Sequence, residues 1–592
     1  MSLFCLAGVL PAAAQPSGGP YGPVQQRYEL PKAGHIYYVA PDGKADSPGS
    51  TIAQPTTLES AIAQVVTGDA IVLRGGTYRT GGLVLNQGIT MQPYGDERPV
   101  LKGTEVAASW EAQPDGLWRT SWGKLFPAAP ADWWRREQNE KQTPLHLFNN
   151  DMVFVDGGLL SPVGARGDVK EKSYYIDYEA GQIFIGTNPE HRLVEITARD
   201  SALVRTIREV HGKQSDRRGP VIRGITFTQY AYRALEIEGT EPAKHMDPAL
   251  FGKDVVGTVL DHLTISFCSR VSGYFRGDGL VIRNCLVADC GTEGIYVIDS
   301  ADVLLEKNIV THTNSARNIT GYFASAVKIF NQSYRATCRD NLIIDNPNAS
   351  GVWFDVGEVD GVFINNRVER ASEGFFSEIS RGAICAGNVF VDCTNGVKVL
   401  NSADVQVCQN TFFNSTVMIS RTERSAVGDH FGWHPSAGPG VDERHGHVFE
   451  NNLMVADERF KGPLIEFHQS PVLLGRLKDP QVAVLDGNVY VRRAGVKEQP
   501  LIVWSPVQGG GNHVDIQTID QLRKMHPQFE AGAQVFADYW GPLFKGEQLG
   551  NLELLKAFPA SNAGVPLSPA IRELLKLKHD EAVFPGAYSP RP

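Results

Sequence analysis

From Asn284 onward, short apolar runs recur directly behind an asparagine: Asn284 (NCLV), Asn308 (NIV), Asn341 (NLII), Asn366 (NRV), Asn388 (NVFV), Asn410 (NTFF) and Asn452 (NLMV). The steps between them are 24, 33, 25, 22, 22 and 42 residues. A second set of runs opens on a small residue: Gly294 (GIYV), Ala326 (AVKIF), Gly351 (GVWFD), Gly374 (GFFSE) and Gly396 (GVKVL). Helical segments would need longer runs with a 3.6-residue period. These runs are short, rich in Val, Ile and Phe, and bounded by Asn, Gly, Asp and Ser, which is strand-and-turn chemistry. The period predicts an all-β chain whose repeat is one coil of a right-handed parallel β-helix solenoid. Each coil stacks its strands on its neighbours', and an Asn repeated at one corner can hydrogen-bond to its copies above and below. The steps of 33 and 42 residues are coils that carry loops, and solenoid insertions gather on one face, often the binding face.

The coil pattern reaches back to Ile222 (IRGITF) and Leu260 (LDHLTI), and Thr57–Tyr78 reads as a short amphipathic helix and a strand that cap the open end. The expected organisation is a cap and first coils over 35–100, an interruption over 101–205, the main solenoid over 206–504 and a tail over 505–592. Within the interruption, Trp110, Trp118, Trp122, Trp133 and Trp134 and strand-like runs at Met152, Tyr174 and Ile183 predict an inserted antiparallel, β-sandwich-like domain. The tail, with helix-like stretches at Ile516–Met525 and Pro569–Leu577, is expected to pack along the solenoid and close its end.

Composition narrows the partners. The 592 residues carry 56 Lys and Arg against 66 Asp and Glu, a net charge of −10 with no basic run, which argues against nucleic acid. No stretch is apolar for long enough to span a bilayer. Residues 1–15 are apolar and end in Ala12, Ala13 and Ala14, like the hydrophobic region and cleavage site of a signal peptide, although the basic n-region is missing. A secreted or periplasmic protein is the expectation. Of the 8 cysteines, Cys5 falls in that segment. The other seven lack zinc-ligand spacing and read first as buried apolar residues, with a disulfide or two open in an oxidising compartment.

Alternation along the runs behind the small residues sorts inward from outward positions. Val352 and Phe354 point in, and Trp353 and Asp355 out; Phe375 and Ser377 point in, and Phe376 and Glu378 out. One outer face thus carries Tyr296, Lys328, Trp353, Asp355, Phe376, Glu378 and Lys398. Asp355 and Glu378 are 23 residues apart, one coil, which sets them on stacked strands about 4.7–4.9 Å apart. Retaining glycosidases hold their two carboxyls roughly 5–5.5 Å apart, inverting enzymes about 6.5–9.5 Å. Two carboxylates on a solenoid face are commonly mere solvated charges. Stacked like charges are unfavourable without a role, however, and such a pair splits its pKa values into an acid and a base.

The segment 429–447 gathers His430, Trp433, His434, His445 and His447. It reads as a pocket wall, with Trp433 and His434 against substrate. The four histidines match no zinc motif, and no metal is expected there.

The opening at Tyr37 (YYVAPDG), the segment at Gly68 (GDAIVLRGGTY), the interruption after the first strands and the one-coil Asp/Glu pair together resemble glycoside hydrolase family 120, the β-xylosidase family. The resemblance implies a parallel β-helix with an inserted β-sandwich. It implies Asp355 (VWFDV) as nucleophile, Glu378 (FFSEIS) as acid/base, and a xylosyl substrate. The expectation is an exported retaining glycosidase, exo-acting on plant-type oligosaccharides, with Tyr296, Lys328, Trp353, Phe376, Lys398, Trp433 and His434 lining the substrate. No cofactor is required, a structural Ca²⁺ remains open, and a long solenoid side would support a dimer. Two rivals stand beside this reading. A lyase or epimerase on uronic-acid polymers would use Lys328 or Lys398, with carboxylates holding Ca²⁺. A non-catalytic carbohydrate-binding solenoid would bind without turnover.

Overall fold

A computed structural model of the chain describes residues 18–124, 135–138, 140–240, 251–316, 319–320, 323–425, 438–493, 499–507, 511–578 and 582–590. It is an all-β, right-handed parallel β-helix built on three sheets of 13 strands each. One coil runs through Val281–Arg283, Leu286–Ala288 and Glu293–Ile298; the next stacks Leu304–Glu306, Ile309–Thr311 and Ser325–Phe330 on them in parallel. Parallel stacking continues along the sheet to Ile502–Trp504, where Val514–Ile516 pairs antiparallel.

The two short strands of a coil meet at a corner residue in the left-handed region, among them Lys307 (φ 54), Asp340 (φ 57), Asn365 (φ 54), Gly387 (φ 64) and Gln409 (φ 56). The next residue is the recurring asparagine. Its Oδ1 accepts from the backbone N–H of the asparagine one coil earlier, at 2.8–3.0 Å through Asn308, Asn341, Asn366, Asn388, Asn410, Asn452 and Asn488. Each asparagine is buried, so the ladder satisfies backbone groups that no water reaches. Asn284 is not in this column. It holds the left-handed corner (φ 51), and Cys285 takes the ladder position by donating its N–H to Asn308 at 2.9 Å. Asn488 extends the ladder beyond the sequence pattern, and the buried Glu530 carboxylate caps it, accepting from Asn488 at 3.0 Å and from the Tyr490 hydroxyl.

Inward side chains fill the solenoid as one column. Phe363 stacks on Phe375 at 4.9 Å and Phe390 on Phe412 at 5.0 Å, and each such pair adds about 0.5–1.5 kcal/mol beyond its area burial. The helix Leu58–Gln64, capped by the Thr57 side chain, buries Leu58, Ala61 and Ile62 over the first coils. Helix Ile519–Met525, opened by a capping box at Thr518, closes the other end with Ile519 and Leu522. The tail then runs along the outside, seating Phe544, Leu554 and Phe558 on Phe413, Leu453 and Val489, and Ile571 beside Cys408.

The excursion from the solenoid lies between Pro99–Lys102 and Ser201–Arg205, which are themselves solenoid strands. It forms a four-stranded antiparallel sheet and a five-stranded, mostly antiparallel sheet that share a core of Val153, Val155, Ile183, Ile185 and Ile196 with Trp122. Trp133 and Trp134 lie outside the described residues. Cys268, Cys285, Cys290, Cys338, Cys385, Cys393 and Cys408 are free thiols buried in the fold, so the described residues hold no disulfide. Burial raises the Cys285 thiol to about 12, which keeps it protonated and inert.

Candidate active site

The face in question belongs to the sheet whose strands we label β1 (Val271–Arg276), β2 (Glu293–Ile298), β3 (Ser325–Phe330), β4 (Ser350–Asp355), β5 (Glu373–Glu378), β6 (Asn395–Leu400) and β7 (Thr416–Arg421). Two rows of side chains run across these strands. One is Tyr274, Tyr296, Lys328, Trp353, Phe376, Lys398 and Met418; the other is Arg276, Ile298, Phe330, Asp355, Glu378, Leu400 and Ser420. Asp355 and Glu378 are therefore direct register partners on β4 and β5.

Alternation places these residues outward, yet they are not open to water. Trp353, Phe376 and Glu378 are each 5% exposed, and Asp355 and Lys328 each 7%. The cover over Tyr296 comes from far away in sequence. Phe148 of the inserted domain and Ile319 of a coil loop join Tyr274, Tyr296, Ile298 and Phe330 in one apolar cluster. Tyr296 stands edge-on to Phe330 at 4.7 Å and to Tyr274 at 5.1 Å.

The electrostatics separate the two carboxyls. Lys328 Nζ lies 3.0 Å from Asp355 Oδ2 and offsets its charge, while Asp355 Oδ1 is buried without a hydrogen-bond partner among the described residues. Glu378 is pushed up to about 8, first by burial and then by the Asp355 charge. Arg424, 2.5 Å from Glu378 Oε1, works in the opposite direction. One carboxyl holds a proton at neutral pH, and the other has an unpaired oxygen.

The backbone behind both acids is unusual. Each strand ends at a corner residue in the left-handed region; in the neighbouring coils it is Asp299 (φ 49), Asn331 (φ 61) and Asn401 (φ 55), residues suited to that region. Behind Asp355 and Glu378 it is Val356 (φ 35) and Ile379 (φ 46). Left-handed β-branched residues cost about 1–3 kcal/mol each and cluster at functional sites. The two pack on each other, one residue beyond each acid.

Trp353 has both faces occupied: Phe376 is stacked at 4.8 Å with an interplanar angle of 18°, and Lys328 Nζ sits 3.7 Å from the ring centroid. Lys398 closes the stack 4.7 Å from the Phe376 centroid and pairs with Glu373 at 3.2 Å. The indole thus turns its edge outward, and its Nε1 donor is buried with no acceptor among the described residues. The open aromatic face nearby is Phe323, 60% exposed and 6.1 Å from Trp353, a residue the alternation pattern did not single out.

Sequence reasoning also passed over Glu293, Glu373 and Arg424. Glu293 is wholly buried, accepts from the Ser325 backbone at 3.2 Å, and is pushed up to about 8, first by burial, while the Lys328 charge opposes and the Asp355 charge adds. Glu293 and Glu373 each stand directly before the small residue that opens the run, a recurrence visible in the sequence. Trp433, His434 and His430 lie outside the described residues. His447 is buried, its Nδ1 accepts from Val405 N–H at 3.2 Å, and burial takes it down to about 3, so it is a neutral structural residue. Among the described residues no three His, Cys, Asp or Glu side chains gather in a metal-holding group.

Residues 248–417 match the family model for a right-handed β-helix region. No curated protein matches the chain. Among solved structures, XylC in complex with xylose is 14% identical, with 80% of this chain and 88% of that one covered at a TM-score of 0.54. Pectate lyase Pel9A is 12% identical over 94% of this chain and 97% of that one, with a TM-score of 0.38. The mannuronan C-5 epimerase AlgE4 A-module of Azotobacter vinelandii is 11% identical over 80% of this chain and 89% of that one, with a TM-score of 0.30. The last two likenesses are too weak to argue from, and at its level of identity the likeness to XylC establishes one thing, the right-handed parallel β-helix fold.

Proposed function

We propose that this protein is an exported retaining glycoside hydrolase, β-xylosidase-like and exo-acting on plant-type oligosaccharides. The observation that carries the reading is the register pair of Asp355 and Glu378, one with an unpaired oxygen beside Lys328 and the other protonated to about pH 8. XylC, solved with xylose, lends the sugar its motive. The register sets the two acids on adjacent strands about 4.7–4.9 Å apart, nearer the roughly 5–5.5 Å of retaining enzymes than the roughly 6.5–9.5 Å of inverting ones.

In the first step Asp355 Oδ1 attacks the anomeric carbon. The bond to the leaving oxygen breaks, and that oxygen takes the Glu378 proton. The product is a glycosyl ester on Asp355 and a free alcohol. Glu378, now a carboxylate, accepts a proton from water as the water attacks the same carbon; the ester bond breaks, and both carboxyls return to their starting states. Lys328 stabilises the Asp355 carboxylate as leaving group in the second step. The Trp353 Nε1 donor and the open face of Phe323 supply a hydrogen bond and a stacking surface for the sugar.

Purified protein given 4-nitrophenyl β-xyloside, other aryl glycosides and uronic-acid polymers tests the reading, with nitrophenol release and ultraviolet absorbance followed together. Aryl glycoside cleavage lost in Asp355→Ala with unchanged circular dichroism is the expected result. Full activity in that variant refutes the assignment, and growing absorbance on a uronate polymer moves the function to a lyase.

A further inference from the structure

Beyond the coil of Glu378 lies a buried guanidinium with no ion pair among the described residues. Arg444 is 1% exposed. Its Nη1 donates to Asn401 Oδ1 at 2.5 Å and to the Thr422 carbonyl, while Nε and Nη2, both buried, meet no acceptor among the described residues. Asn401 directly follows Leu400, the register partner of Glu378, so Arg444 sits at the corner one coil past the general acid. Arg424, two residues beyond Thr422, reaches back to Glu378. Arg421 is buried and donates to Gln469 and to the Asp479 carbonyl.

Positive charge dominates around Arg444. Burial and the charges of Arg424, Arg421 and Arg476 bring it down to about 10, with Asp442 opposing. The acids that act on this corner are engaged elsewhere: Asp442 pairs with Arg476 at 3.3 Å, and the Ser470 side chain holds Glu423. A buried guanidinium with two donors unmade and like charges around it is costly by itself. An anion with two coplanar oxygens offsets that cost, since guanidinium binds carboxylate in a bidentate fork.

The position says which part of a substrate would meet it. The corner continues the row from Asp355 through Glu378 and outward, and a general acid stands on the leaving-group side of the bond it protonates. We propose that Arg444, with Arg424 beside it, seats the carboxylate of a uronic acid in the leaving-group position. This rests on the glycosidase reading above and makes its substrate an acidic oligosaccharide.

The test is calorimetric titration of the full chain with D-glucuronate and with D-glucose, at low and high salt, alongside 4-nitrophenyl β-xyloside turnover in wild type and Asp355→Ala. Charge-assisted hydrogen bonds of this kind predict glucuronate binding tighter than glucose by about tenfold or more, with the preference lost in Arg444→Gln and weakened by salt. Equal binding of the two sugars overturns the seat, as does an unchanged preference in folded Arg444→Gln. Where Arg444→Gln does not fold, Arg424→Gln carries the same comparison, and an unchanged preference there overturns the proposal. Asp355-dependent turnover without glucuronate preference removes the seat and leaves the glycosidase. Glucuronate preference beside turnover that survives Asp355→Ala overturns the glycosidase reading and the leaving-group assignment together.

Discussion

The proton on Glu378 gives the most direct check on the proposed chemistry. At its ordinary value of 4.5 a glutamate would be protonated at pH 7 in about 0.3% of molecules; raised to about 8, it is protonated in about 90%, a gain of roughly 300-fold in enzyme able to act as general acid. The kcat/KM profile is therefore expected to hold up to an alkaline limb near pH 8 and to fall above it as Glu378 loses its proton. The causes can be separated. Burial is the largest and the Asp355 charge the second, while Arg424 opposes both. Asp355→Asn removes a neighbouring negative charge, so the Glu378 midpoint should move down, and Arg424→Gln removes a neighbouring positive charge, so it should move up. Because Asp355→Asn has no turnover to follow, the ionisation is read by carbon-13 NMR of labelled glutamate carboxyls, with Glu378→Gln identifying the resonance. A Glu378 midpoint in Asp355→Asn at or above the wild-type value refutes the coupling, and a wild-type profile with no alkaline limb between pH 7 and 9 refutes the general-acid role.

Three further outcomes follow from the same geometry. Asn388→Ala deletes the acceptor for Asn366 N–H and the donor to the Phe363 carbonyl, both buried, and at about 1–3 kcal/mol for each orphaned group it should lower unfolding stability by about 2–6 kcal/mol in urea titrations. Val356→Asn exchanges strain of about 1–3 kcal/mol for lost apolar contact of similar size, so Tm should move little; kcat should nonetheless fall by about tenfold or more because the strained backbone next to Asp355 relaxes, and unchanged kcat would remove the positioning role. Glu530 is raised to about 7 from an ordinary 4.5, chiefly by burial, so the folded state holds a proton that the unfolded chain releases; the stability it contributes is present below pH 4.5 and is lost as pH rises through about 7. Denaturant midpoints at pH 5 and 8 should accordingly differ less in Glu530→Gln than in wild type.

The period of the asparagines and the two-residue alternation are properties of the linear chain, and they were enough to determine the solenoid. A parallel coil pairs each strand residue with its counterpart one coil on, about 22–25 positions away where no loop intervenes and 33–42 where one does, so a sequence offset converts directly into a contact. The same rule brings Asp355 and Glu378 together, because a one-coil offset on equivalent strands leaves no freedom in the pairing. Where the conversion is off by one the reading slips, as with Asn284, whose local NCLV looks like a ladder run but whose backbone turns one residue late.

What surrounds the pair was decided by the tertiary structure alone. Arg424 reaches Glu378 across 46 positions and Phe148 covers Tyr296 from the inserted domain, contacts made by loops whose paths carry no period. Outward-facing positions read from alternation as exposed are buried for that reason, and burial is what raises Glu378. Ring orientation is likewise invisible in the chain: the row Lys328, Trp353, Phe376 and Lys398 could be read, but not that each ring uses its faces on its neighbours and presents an edge. Periodic backbone hydrogen bonding repeats along a sequence and can be read from it, whereas desolvation and side-chain charge depend on what aperiodic segments place on top.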